Sequence, residues 1–256
     1  MRDHDVWRLL DLEFRNPFAN LAVEEAIPTF VGKGQAPNTV RFWRNSNAVV
    51  IGRFQSAALE VNLGACKQFG TAVVRRFTGG GAVYHDHGNL NYSISLRSDH
   101  RLVSSDLGET FKTLSMAVVE GFKTLDIAAE YEPPNSFRIN EKKIGGAAGA
   151  VRSGFVFCHG SILINSNLET LSKVLNPEDQ SLDKTYVRSH RSVVSNLSVE
   201  LRRKLSVGEV KEALQKAFGR SFRIRLAMDN LMQEEKELVE ELFQEKYSTN
   251  NWNLKM

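Results

Sequence analysis

The residues with the greatest chemical potential stand together in Arg75-Arg76-Phe77-Thr78-Gly79-Gly80-Gly81-Ala82-Val83-Tyr84-His85-Asp86-His87-Gly88-Asn89. Three consecutive glycines have no β-carbon, so a ligand can approach their backbone closely and unusual dihedrals cost little. Successive exposed N–H groups form a concavity suited to an anion. The two preceding arginines add fixed charge and forked donors for phosphate or carboxylate. Gly-Gly-Gly alone reads as a flexible turn; flanked by strand residues, paired arginines and His-Asp, it reads as an anion cradle. It is not a Walker loop, because GxxxxGK[ST] is absent, and no GxGxxG follows a strand. His85 and His87, two apart on a strand, face the same way and could share an ion with His159. Hydrogen-bonded or solvated histidines are the simpler reading, and no metal ligands are assigned.

A second constellation runs Glu141-Lys142-Lys143-Ile144-Gly145-Gly146-Ala147-Ala148-Gly149-Ala150, turns at Ser153-Gly154 and returns as Phe157-Cys158-His159-Gly160-Ser161. Small side chains leave room for a ligand against the strand. A lysine at the entry sets a cation beside a carboxylate or phosphate; Lys142 reads as a surface lysine. The two cysteines, Cys66 and Cys158, form no CxxC pair, so neither a disulfide framework nor a structural zinc site is expected, and the setting is a reducing one. Cys158 reads as a small buried hydrophobe rather than a nucleophile, and Cys66 more so.

The elements that must position these groups follow from periodicity and punctuation. Asn16-Pro17 opens a capped helix through FANLAVEEAIPTFV, disturbed by Pro28. Thr39–Arg44 and Ala48–Phe54 are short β-rich runs parted by Asn-Ser-Asn, which suggests a hairpin. Leu59–Phe69 suits a helix ended by Gly70, and Thr71–Phe77 a buried strand entering the glycines. Leu90, Tyr92, Ile94 and Leu96 alternate with Asn91, Ser93 and Ser95, a period-two strand. Ser105–Leu125 carries a helical stripe of Leu107, Phe111, Leu114, Val118 and Phe122. Lys142–Val151 and Phe155–Ile164 read as a second hairpin, and after about Asn165 the chain is mostly helical: Leu168–Leu175, Val207–Phe218 stopped by Gly219, and the charged Gln233–Tyr247. Strands interleaved with helices but joined partly by hairpins indicate an α/β (α+β) fold, a mixed β-sheet flanked by helices, and residues 1–256 are read as a single domain. The formal charge of +3 comes with no concentrated basic stripe, which excludes a nucleic-acid binder. No apolar run approaches the roughly 20 residues of a membrane span, and the start MRDHDVWRLLDLEF lacks a signal-peptide core; the expected setting is cytoplasmic.

Together the two segments resemble the lipoate–protein ligase family. RRFTGGGAVYHDHGNLNYS is similar to its glycine-loop signature, and KIGGAA followed by HGSILI to its lysine signature, with likeness extending from LAVEEA to EKYSTNNWN. The resemblance implies a biotin/lipoate ligase-like catalytic domain that uses ATP and magnesium, first forming lipoyl-AMP from lipoate and then passing the lipoyl group to a carrier lysine. Lys143 would match the essential lysine. Arg75, Arg76, Gly79, Gly80 and Gly81 would line the lipoate and phosphate region, Val83 and Tyr84 the adenine, Asn89 and Asn135 the nucleotide, and His159 the acyl pocket. His85, Asp86 and Ala147 complete the implied binding set. Ser136 departs from the family, where many relatives carry Asn-Asp at 135–136. Single-chain members carry a small C-terminal domain, for which this chain is too short. It resembles the large subunit of the two-chain version, implying a small accessory protein as partner. The implied acceptors are lipoyl domains of 2-oxoacid dehydrogenases or the glycine-cleavage H protein. The charged C-terminal helix, with Leu238, Leu242 and Phe243, either packs on this domain or meets that partner. The runner-up is an octanoyl or lipoyl transferase of the same fold. Its cysteine nucleophile would fall within or soon after the lysine signature, where this chain has Ala147, Ala148, Gly149 and Ala150. A non-catalytic adenylate-binding module would keep the glycine loop without needing Lys143, and the GRGRxGR signature of biotin ligase is missing.

Overall fold

The structure, a computed structural model, describes residues 5–152, 154–175, 186–190 and 192–255; Ser153, expected in the second hairpin's turn, lies outside them. The chain enters on β1 (Asp5–Asp11), which the sequence reading missed, and continues into α1 (Pro17–Gly32). The Asn16 side chain accepts from the Phe18 N–H and Pro17 opens the first turn, where a missing N–H is harmless. Pro28 does not end this helix, which is apolar on nearly all sides and buried through Val31. β2 (Thr39–Trp43) and β3 (Asn47–Ile51) follow, but they are not a hairpin. β2 lies between β1 and a later strand of a large sheet, whereas β3 is the centre of a separate small one. The physical reason is burial: β2 is buried at every position and β3 at all but its first, so each needs neighbours on both edges. The expected helix over 59–69 is broken into α2 (Ala57–Glu60) and α3 (Leu63–Phe69), because Val61 is extended to bridge Leu175 and Asn62 caps the second piece. Gly70 closes α3 at φ 62°, as the sequence indicated.

β4 (Ala72–Arg75), β5 (Val83–Asp86) and β6 (Asn89–Arg97) come next, then α4 (Leu107–Lys123), β7 (Glu130–Glu132), β8 (Ser136–Ile139), β9 (Lys142–Arg152) and β10 (Phe155–Leu163). The last part holds α5 (Leu168–Val174), α6 (Leu197–Glu200), α7 (Val207–Phe222), β11 (Ile224–Met228), α8 (Gln233–Leu242), one π-helical turn and α9 (Asn250–Asn253). Gly219 does not stop α7, which runs on to bury Phe222 and ends at Arg223 in the left-handed conformation. The large sheet runs β11-β1-β2-β6-β10-β9-β8-β7 and the small sheet β4-β3-β5. Pairing is parallel at β11-β1-β2 and antiparallel beyond, the mixed sheet that the interleaved pattern predicted.

The main core lies between the large sheet and the α4–α7 pair, with Leu90, Tyr92, Ile94 and Leu96 of β6 meeting Val118, Phe122, Leu214 and Phe218. Leu107 of the predicted α4 stripe is instead exposed. Asn91, Ser93 and Ser95, expected on a polar face, are also buried, since α1 covers that side and Ser93 donates to Glu24 on it. The charged C-terminal helix packs on its own chain: Leu238 and Val239 meet the α1 cluster, and Leu242 and Phe243 join Tyr247 and Trp43. No helix among the described residues is long and apolar enough to cross a membrane.

Candidate active site

The small sheet holds the glycine loop, residues 76–82, between β4 and β5. Arg76 is buried and shapes it from within. Its Nη2 donates to the Gly79 and Gly81 carbonyls at 2.7 and 2.8 Å, and its Nε to Thr78 Oγ1 at 3.0 Å. With those carbonyls drawn inward, the N–H groups of Gly79, Gly80 and Gly81 have no acceptor among the described residues. Such a run of unpaired amides is a site for an anion. Gly80 sits at φ 91°, where a β-carbon would stand 2.9 Å from Arg76 Nη2, and a β-carbon on Gly52 would collide with the Gly80 carbonyl. Burial pulls Arg76 down to about 10, which leaves it charged at neutral pH.

Facing the loop is β9, whose register sets the direction of Lys143. Phe137 pairs with Gly145 but Arg138 pairs with Lys143, so Ile144 is an extra residue, a bulge. In a regular strand residues 143 and 146 would point to opposite faces. The bulge cancels one alternation and turns Lys143 to the face of Gly146 and Ala148. Its side chain then runs back along the strand, with Cε 3.2 Å and Nζ 3.3 Å from where a Gly146 β-carbon would sit. Ala148 on the same face stands 3.5 Å from the β-carbon position of Gly80. Five residues of strand span about 16 Å; by folding back, Lys143 brings its ammonium within two residues of the glycine loop. The Nζ has no hydrogen-bond or carboxylate partner among the described residues. Burial, and then nearby Arg138, hold its pKa below the usual lysine value against the pull of Glu132. Lys142, by contrast, is exposed and pairs with Glu200 at 2.9 Å, the surface lysine the sequence suggested.

Beneath the loop, Thr78 Oγ1 and His159 Nε2 are 2.8 Å apart, and His159 Nδ1 lies 3.2 Å from Glu24. Glu24 is fully buried and also accepts from Arg41 at 3.1 Å and Ser93 at 2.8 Å. Burial alone would raise its pKa; His159 and Arg41 outweigh that and hold it below the usual carboxylate range. An ionised Glu24 fixes the His159 proton on Nδ1, so Nε2 accepts from the Thr78 hydroxyl. His85 accepts amide N–H groups of Asn45 and Asn91 at Nδ1, and burial drives it down to about 3; it is a neutral core histidine. No group of three metal-ligating side chains occurs among the described residues.

β8 ends at the Ser136–Gly146 pair, with the Ala147 N–H still donating to the Asn135 carbonyl at 2.8 Å. Beyond it the edge of β9 opens onto a groove of about 570 Å³, walled by Gly79, Gly80, Ala147, Asn135, Phe111 and Tyr131. The predicted Gly79, Gly80, Asn135 and Ala147 therefore line one groove; Lys143 lies over Gly146 and His159 lies beneath the loop on Thr78, both outside that lining. Other expected residues have different duties. Arg75 does not line the ligand region: its guanidinium is fully buried and turned toward the C-terminal segment, donating to the carbonyls of Trp252, Lys255, Gly52 and Gln55. Asn89 is used inside the fold, bonded to Asp86 N, Tyr84 O, Ser161 and Ser166. The Asp86 carboxylate accepts from Gly88 and Asn167 N–H groups. Tyr84 packs in the small-sheet core, and Val83 is half-buried beside it. Gly81 faces Ser189, whose Oγ accepts from the Ala82 N–H at 2.8 Å.

Three contributors escaped the sequence reading. Glu24 had a signal, a carboxylate inside the apolar run LAVEEAI. Thr78 was hidden among more distinctive neighbours. The stretch around Ser189–Ser195 had none: Ser189 touches the glycine loop, while Lys143 N donates to Val193 O and Ser195 N to Lys143 O. Cys158 faces the α4 core and is pushed up to about 12 by burial, and Cys66 to about 11; neither thiol is poised as a thiolate.

Fold and site define a mixed-sheet domain in which an amide-rich glycine loop faces a strand that carries a lysine. Residues 16–219 match the model of the lipoyl protein ligase A/B catalytic domain, and the chain belongs to that family. It is 36% identical to lipoate-protein ligase A subunit 1 of Thermoplasma acidophilum, over 96% of each chain, and 32% identical to octanoyltransferase LipM of Brevibacillus brevis, over 97% of this chain and 99% of that one. Among solved structures it is similar to one of a bipartite lipoate protein ligase and its E2 lipoyl domain from Thermoplasma acidophilum (TM-score 0.87, 38% identity, 98% and 97% of the chains). It is likewise similar to lipoate-protein ligase A bound with ATP (TM-score 0.84, 36% identity, 96% and 98%).

Proposed function

We propose that this chain is the catalytic subunit of an ATP-dependent lipoate–protein ligase, a single catalytic domain acting in the cytoplasm with a separate accessory subunit. A free carboxylate is a poor electrophile. In the first step a lipoate carboxylate oxygen attacks the α-phosphorus of ATP, forming the mixed anhydride lipoyl-AMP and releasing pyrophosphate. In the second, a lysine amine of a carrier lipoyl domain attacks the acyl carbonyl; the amide forms and AMP leaves with the bonding electrons. The amides of Gly79–Gly81 and the Lys143 ammonium stabilise charge growing on phosphoryl and carbonyl oxygens, and the groove holds the reactants in line. Magnesium would come with the nucleotide and neutralise the departing pyrophosphate. Its ligands would be phosphate oxygens, since the nearby Asp86 carboxylate already binds two backbone amides.

The observation that carries this reading is the bulge-directed Lys143, whose ammonium has no partner among the described residues and lies over Gly146, on the strand face whose Ala148 meets Gly80. The relatives named for lipoate ligation, and the one bound to ATP, support the choice of substrates. The test is lipoylation of a carrier domain followed by mass spectrometry, with ATP and lipoate, with and without a two-chain-type accessory protein. Absence of both pyrophosphate release and modified carrier in the complete mixture would reject it.

The likeness to octanoyltransferases keeps a second reading in view, acyl transfer between carriers through a cysteine thioester. The buried Cys158, at about 12, and the Ala147–Ala150 stretch speak against it. An acyl thioester trapped on Cys158 would favour it.

A further inference from the structure

On the outer side of Gly79 and Gly149 the groove continues into a second recess of about 260 Å³, rimmed by Arg53, Phe54, Val151 and Arg152. Phe54 is 57% exposed, and Val151 and Val187 are 43% and 46% exposed. Val187 is tied to the rim by its N–H on the Phe54 carbonyl. The Arg53 guanidinium lies 5.6 Å from the Phe54 ring and Arg152 5.0 Å from the Phe77 ring. An exposed aromatic framed by arginines and small apolar neighbours has the composition of a protein-binding hot spot. The rim is also unbalanced in charge. Arg152 and Lys246 share a single buried carboxylate, Glu25, at 3.0 and 2.5 Å, while Arg53 has no carboxylate among the described residues. Lys246 feels both Arg152 and Arg53 as like charges.

We propose that this rim is the docking surface for the acceptor protein, a small carrier domain with carboxylates beside its target lysine. The proposal rests on the ligase reading for its choice of partner. The Phe54 ring stands within 3.9 Å of the Gly79 β-carbon position, so a side chain passing the rim arrives at the cradle. A lysine approaching as an ammonium meets three cations and is repelled. Carboxylates flanking it turn that repulsion into attraction through Arg53 and Arg152, and Phe54 with Val151 supplies apolar contact. A positive rim therefore selects an acidic acceptor and turns away exposed lysines on basic or neutral surfaces.

The probe is an unmodified E2 lipoyl domain, titrated by calorimetry and used as acceptor with purified lipoyl-AMP. Arg53→Glu and Phe54→Ser should each raise KM for the domain about tenfold or more with little change in kcat. Transfer from lipoyl-AMP to hydroxylamine, which needs no docking, should be unchanged. Raising salt from 50 to 500 mM should weaken wild-type binding and scarcely affect Arg53→Glu. A lipoyl domain whose flanking carboxylate is changed to arginine should recover affinity for Arg53→Glu. Unchanged KM in both variants overturns the proposal, as does loss of accessory-subunit binding in place of carrier binding. Calorimetry is independent of catalysis: carrier binding lost in Arg53→Glu upholds the docking surface even if no lipoyl transfer occurs, and no carrier binding by the wild type overturns it.

Discussion

A branched side chain at position 146 should cripple catalysis although that residue touches no reacting atom. An alanine there sets its β-carbon 3.2 Å from the Asn135 carbonyl oxygen and from Lys143 Cε and 3.3 Å from Nζ, a few tenths below ordinary contact. A flexible lysine yields that much, so Gly146→Ala should keep transfer within about fivefold, about 1 kcal/mol. Valine projects about 1.5 Å further, into the volume the ammonium occupies, and the ammonium must leave. The loss then equals removal of one preorganised donor to the transition state, about 2.7–4 kcal/mol or 10²–10³-fold. Gly146→Val and Lys143→Ala should fall to the same level, and the double variant no lower, because both remove one interaction. The valine suits a strand, so the fold should persist. The assay is single-turnover transfer from purified lipoyl-AMP to a lipoyl domain, with calorimetric melting as control. Wild-type transfer by Gly146→Val, or losses that multiply in the double variant, would refute the placement of Lys143.

Three further outcomes are expected. His85 is depressed to about 3 by burial against 6.5 when unfolded, so between those values the unfolded chain binds a proton the native chain does not. Stability should decline as pH falls below 6.5, by up to about 1.4 kcal/mol per pH unit from this group, and urea titrations at pH 7 and 5 should show a shallower decline in His85→Gln; equal slopes would remove His85 as the cause. Arg75→Met leaves several buried carbonyls without donors, costing about 3 kcal/mol and about 6 °C or more in Tm. An unchanged Tm with abolished lipoate binding would return this guanidinium to the ligand site. Cys158→Ala should retain lipoyl transfer within about twofold, measured by mass spectrometry of the carrier; loss of transfer would point to thioester chemistry.

Local signals were readable wherever local chemistry decided the outcome. The Asn16 cap, the Gly70 stop and the β9–β10 pair follow from residue types and short spacings, whereas the grouping of Gly79 and Gly80 with Asn135 and Ala147 was implied by the family resemblance. What the sequence hid was long-range. Thr39–Trp43 and Asn47–Ile51 look like hairpin partners because nothing local says that their edges are filled by strands from elsewhere. Arg75 and Arg76 read alike, yet strand alternation sends one to the C-terminal carbonyls and the other under the glycines. The bulge at Ile144 depends on pairing with Arg138 across a turn, and no pattern in KKIGG announces it. β1 and β11 are short and rely on each other as parallel partners, so neither declares itself alone.

The glycine cradle hangs from one sheet and the lysine from another, joined by Arg44-Asn45-Ser46 between β2 and β3 and by His87-Gly88 between β5 and β6. The gap between amides and ammonium is therefore a seating distance between two plates, with the Asn20–Asn45 and Asn45–His85 contacts at one of their joints. Small shifts at that joint would resize the chamber for a different acyl chain or leaving group.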